Sequence, residues 1–143
     1  MRILFDATVD RDRIDQAAIT LGWPLLNIFA QTATRPRQII FGDAEWLITF
    51  VWDHRIDARY AVLDGHDVET LATQIENALP TVSLHDVLAM LATDEVRALC
   101  WLGVVGPETR DERVGAILDR ALESDEKKVR AAAEFAFSAL AWS

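Results

Sequence analysis

Two hydrophobic periods divide the chain. Up to about residue 80 the apolar positions alternate in short runs, with two longer stripes at helical spacing. Arg2–Thr8 reads as a short strand. Asp10 is placed to cap a helix on which Ile14, Ala17, Ala18 and Leu21 share one side, and Gly22 and Pro24 stop it. Leu25–Ala30 is apolar at nearly every position and fits a short strand or a helical turn. Thr32–Pro36 is a loop by composition. Gln38–Phe41 and Glu45–Asp53 read as strands joined by a Gly42-Asp43 turn. In the longer one Trp46, Ile48, Phe50 and Trp52 occupy one face and Leu47, Thr49 and Val51 the other. Both faces are largely apolar, so an interior strand covered on both sides is expected. Ala58–Leu63 predicts a third strand, and Val68, Leu71, Ala72, Ile75 and Leu79 a helix ended by Pro80.

Beyond Pro80 the period is helical throughout. Ser83 caps a stripe of Leu84, Val87, Leu88 and Leu91. Val96, Leu99, Cys100, Gly103 and Val104 mark the next helix, which Gly106-Pro107 breaks. Thr109 and Glu112 have the spacing of a capping box ahead of Val114, Ile117, Leu118 and Ala121. Val129, Ala132, Ala133, Ala136 and Leu140 complete a fourth helix. The predicted class is α+β. A small, mainly antiparallel sheet with two helices (residues 1–80) is expected to pack on an array of four helices (residues 81–143) as one continuous body.

The four helices pair off. Val96-Arg97-Ala98 returns as Val129-Arg130-Ala131, 33 residues later, and each copy follows an acidic turn, Asp94-Glu95 or Asp125-Glu126. This pattern, and above all Lys128-Val129-Arg130-Ala131-Ala132-Ala133, resembles the HEAT-repeat family over about Ser83–Trp142. The first copy departs from it, with Leu99-Cys100-Trp101 where the second has small residues. The resemblance implies helical hairpins that pack side by side and present the second helix of each to a partner. Arg97, Trp101, Arg130 and Glu134 are then the candidate partner-binding residues. The plainer alternative is that each Arg bonds the acidic turn of its own or the adjacent repeat and that Trp101 is core.

Charge and chemistry narrow the functional classes. The 23 acidic and 14 basic residues leave a net charge of −9. That disfavours nucleic acid, which needs a basic face, and suits solubility or a basic partner. Cys100 is the single cysteine, so no internal disulfide forms, and the N-terminal apolar run is far too short for a signal peptide. No apolar stretch reaches membrane-spanning length. A cytoplasmic protein without a membrane segment is expected. His54, His66 and His85 share no metal-ligand spacing with one another or with Cys100, and no nucleophile or phosphate-loop motif occurs. Neither a metal, a cofactor nor an enzymatic activity is expected. The leading expectation is a small acidic inhibitor that occludes another protein, similar in type to bacterial immunity proteins and antitoxins. A scaffold or adaptor subunit is the first alternative. The second is an enzyme or ligand-binding domain that uses Asp53, His54, Asp64 and His66 near one sheet edge.

Overall fold

The computed structural model describes residues 1–142 and divides into two compact units, Met1–Val82 and the residues from Ser83 onward. The first contains β1 (Arg2–Phe5), α1 (Arg11–Leu21), β2 (Leu25–Phe29), β3 (Arg37–Gly42), β4 (Trp46–Asp53), β5 (Ala58–Gly65), α2 (Val68–Ala78) and β6 (Thr81–Val82). Its six strands form one sheet in the order β2-β3-β4-β5-β1-β6, every neighbouring pair antiparallel. The α+β class is therefore as expected from the pattern of periods.

Alternation explains the core of this unit. The register sets Ile39 opposite Phe50, Phe41 opposite Ile48, Ile48 opposite Leu63, and Phe50 and Ile3 opposite Ala61, so these side chains share one face. All are buried, together with Ile14, Ala17 and Ala18 of α1 and Leu71, Ala72 and Ile75 of α2, which cover that face. Trp23 packs against Phe41 and Phe50, and Phe5 stacks on Phe50 at 5.7 Å between ring centres. The second face differs from expectation. Val51 and Asp53 are buried there, but Thr49 is half-buried and Leu47 is 36% exposed, so this face is covered only toward the end of β4.

Several boundaries also move. β1 stops at Phe5, where Asp6 turns the chain by accepting the Thr8 amide at 2.9 Å. Leu25–Phe29 resolves as a strand. Thr81 and Val82, too short a run to carry a period, pair with β1 and so belong to the sheet.

At the β4–β5 turn Asp53 is the single buried charged residue among those described. Its carboxylate accepts two bonds from the Arg55 guanidinium (2.9 and 2.8 Å), one from the Arg55 amide (3.1 Å) and one from the Tyr60 hydroxyl (3.3 Å). Burial pushes this carboxyl up, but the hydrogen bonds and charge of Arg55, with the Tyr60 bond, outweigh it and hold it below the ordinary range. Burial and the Asp53 charge push the Tyr60 phenol up to about 12.

The second unit holds α3 (Leu84–Met90), α4 (Glu95–Val105), α5 (Glu112–Leu122) and α6 (Lys127–Leu140). Ser83 caps α3 in a reciprocal capping box with Asp86, and Asp94 caps α4. The expected Thr109–Glu112 box does not form. Asp111 is the cap of α5, accepting the Val114 amide at 2.9 Å, because the helix starts at Glu112 rather than at Arg110. Arg110 instead reaches Asp119 at 3.0 Å and lies over Gly115, where a side chain would stand 3.2 Å from its guanidinium. α4 and α6 approach closely. A Cβ on Gly103 would sit 3.0 Å from the Ala136 Cα and 3.1 Å from the Ala139 Cβ. Trp142 closes the unit by donating its indole N–H to the Pro107 carbonyl at 2.8 Å.

Replacing Asp53 with Ala lowers stability by about 2 kcal/mol in urea denaturation at pH 7, since several charge-assisted bonds go at once. The folded-state pKa of Asp53 lies below its unfolded value of about 3.9, so its contribution is present above that pH and is lost as pH falls through the lower folded value. Wild type thus destabilises more steeply in acid than Asp53→Ala. In the second unit Gly103→Val forces α4 off α6 and costs about 1–3 kcal/mol, read in the same way.

Candidate protein-binding surface of the helical unit

The four candidate residues fall on two helices. Arg97 is exposed on α4, 3.4 Å from Asp94 and 5.9 Å above the ring of half-buried Trp101. Arg130, half-buried on α6, donates to the Ser124 carbonyl at 2.7 Å, and Glu134 is exposed one turn further on. The structure joins Arg97 to Trp101 and ties both Arg residues to the turns that precede their own helices.

The two Val-Arg-Ala copies are not in phase with their surroundings. Ala98 is fully buried while Ala131 is exposed, and Val96 is half-buried while Val129 is buried. Ala98, Leu99 and Leu102 correspond in burial to Ala132, Ala133 and Ala136, an offset of 34 where the motif repeats at 33. One residue on a helix is a rotation of about 100°, so Arg97 and Arg130 leave their helices in different directions.

A groove of about 600 Å³ lies where the end of α3, the start of α4, the end of α5 and the start of α6 meet. Leu91, Leu99, Ile117, Ala121 and Val129 give it an apolar floor. Its polar lining is Glu95, Glu123 and Asp125 against one cation, Arg120, with Ser124 between them. All three carboxylates are exposed. Glu95 and Asp125 come from the two acidic turns that the repeat marked; the apolar floor comes from residues that had read only as helix stripes. Arg130 stands behind this rim, since the carbonyl it holds belongs to Ser124.

No protein family, curated protein or solved structure matches the chain.

The sheet unit does not assemble the other candidate constellation. Asp53 lies opposite Ala58 and Asp64 opposite Leu47, at the two ends of the β4–β5 hairpin and about 20 Å apart at the rise of a strand. Asp53 is engaged by Arg55 and Tyr60, whereas His54, Asp64 and His66 are exposed. Those four residues form no common pocket, which corrects the expectation of one sheet edge. Among the described residues no three His, Cys, Asp or Glu side chains stand together as a metal site requires. No described helix is long and apolar enough to cross a membrane.

Arg130→Ala releases the Ser124 carbonyl and lowers stability by about 1 kcal/mol in urea denaturation. Arg97→Ala, which removes an exposed pair, changes it by less than about 0.5 kcal/mol. Equal effects would show that the two Arg residues hold their turns alike.

Proposed function

We propose that this chain is a protein-binding module whose helical unit captures a basic, partly apolar segment of another protein. The observation that carries this reading is the groove: an apolar floor to bury side chains, rimmed by three carboxylates and one guanidinium. A Lys or Arg flanked by Leu or Ile matches that lining, and the net charge of −9 steers such a partner toward it. The HEAT-like reading of the unit agrees with it. Each hairpin is a helix pair, and the second helices, α4 and α6, lie against each other through Gly103 and Ala136. Arg97, Trp101, Arg130 and Glu134 lie outside the lining of that groove, and a partner would reach them only beyond its rim.

Within this class the protein acts as an inhibitor of the immunity-protein or antitoxin kind, occluding the partner's working surface. A cytoplasmic, bacterial setting suits it, since the single cysteine, Cys100, forms no internal disulfide.

Capture from an extract of the source cells tests the reading, with the wild-type chain and a Glu95→Lys/Glu123→Lys/Asp125→Lys variant run side by side. The expected result is a partner held by wild type and weakened at least tenfold in the variant, whose circular dichroism stays unchanged. An equal yield from both would remove the groove from the interaction. The partner's own activity, assayed with and without the chain, then falls if the chain inhibits and holds steady if it scaffolds.

A further inference from the structure

β2 is the end strand of the sheet, and among the described residues no strand pairs with its outer edge. Its sequence is Leu-Leu-Asn-Ile-Phe, and all five residues are exposed: Leu25 by 52%, Leu26 by 51%, Ile28 by 46% and Phe29 by 39%. Natural edge strands are ordinarily blunted by a lysine, another charge, a proline or a bulge. This one carries no charge and no proline, and a register shift between Leu25 and Asn27 is its one irregularity. Its four apolar residues are shared between the two faces of the strand and leave an apolar edge in water.

We infer that β2 is a self-pairing edge, and that two copies of this chain associate by laying their β2 strands antiparallel. The strands then cross near Asn27 at the two-fold axis, with Ile28 and Phe29 of one copy beside the irregular Leu25-Leu26 step of the other. The recess of about 300 Å³ bounded by Phe29, Arg35, Pro36 and Gln38 lies at the end where the other copy's Leu25 arrives.

Charge identifies the occupant as a second copy. β3 runs antiparallel to β2, which sets Gln38 beside Phe29 and Phe41 beside Leu25. Arg35 therefore stands at the Phe29 end, while Arg37 on β3 lies over the Trp52 ring of β4 at 4.9 Å. Asp43 and Glu45 stand at the Leu25 end, where the Gly42 amide donates to the Pro24 carbonyl. An antiparallel pair brings the basic end of each copy to the acidic end of the other, twice by symmetry. A parallel pair would set like against like at both ends. In a chain of net charge −9 this is a way for two copies to meet with local charges balanced.

Two five-residue strands bury less than the roughly 1,000 Å² of a stable interface, so the dimer is reversible and weak. One local bond opposes it. The Ile28 amide donates to the Asn27 Oδ1 at 2.8 Å, and pairing through that amide must release it.

Sedimentation velocity of the full chain, from about 1 µM to about 0.5 mM, tests the inference in the range where weak dimers form. The expected result is a monomer at the low end and a dimer at the high end. Ile28→Lys moves the midpoint at least tenfold upward. Arg35→Glu moves it upward as well, and adding Glu45→Arg to Arg35→Glu brings it back; both residues are exposed, so folding is unaffected and circular dichroism confirms it. A chain that stays monomeric throughout overturns the inference, as does a dimer indifferent to Ile28→Lys or a charge swap that fails to restore the midpoint. None of these readouts involves the groove of the helical unit, so this inference and the proposed function fail separately.

Discussion

Phe50 is where the sheet unit is held. Its ring stacks on Phe5, meets Phe41 edge-on at 5.8 Å and lies 6.1 Å from Trp23. These contacts come from β1, β3 and the chain between α1 and β2, so one side chain of β4 ties together elements far apart in sequence. Because side chains alternate, slipping β4 by one residue would expose Phe50 and Ile48 and bury Leu47 and Thr49 in their place. The position of Asp53 follows from the same register. It stands three residues beyond Phe50 and so points to the opposite face, where Arg55 and Tyr60 meet its carboxylate.

The width of that core decides what stays outside it. Two helices side by side cover about 20 Å, whereas six strands spaced at about 4.8 Å span roughly 24 Å between their outermost axes. Strands β1, β3, β4 and β5 supply the buried sheet residues, and none of the core comes from β2 or β6. The exposure of β2 thus follows from a sheet wider than its helical cover. β6 is only two residues long and leaves little edge, but β2 keeps a full apolar strand in water.

How much could be read from residues alone depended on whether a period was present. β3, β4 and β5 alternate over six to eight residues and were legible almost to their ends. The helices were legible from their stripes and from Asp10 and Ser83 as caps. β2 was ambiguous because an edge strand exposed on both sides has no face to alternate between. Thr109 and Asp111 both precede Glu112, and only the bond from the Val114 amide to the Asp111 carboxylate shows where the chain begins to coil. In the helical unit the Val-Arg-Ala repeat drew attention to Arg97 and Arg130, yet the burial pattern runs one residue out of step with it. What the repeat did mark was the pair of acidic turns. Their convergence on one groove is a matter of helix packing, which spacing along a chain does not encode.

Net charge discriminates between the two surfaces proposed. Screening at physiological ionic strength confines electrostatic effects to about 8 Å, so what matters to a docking chain is the charge within one or two side chains of the contact. At the groove that local balance is three carboxylates to one guanidinium, and a second copy of so acidic a chain would be repelled there. At β2 the strand itself is neutral and its flanks carry Arg35 at one end and Asp43 and Glu45 at the other. A foreign strand would need the same division of charge in reverse order, whereas a second copy related by a two-fold axis has it by construction. The groove therefore favours a partner unlike this chain and the edge favours a partner identical to it.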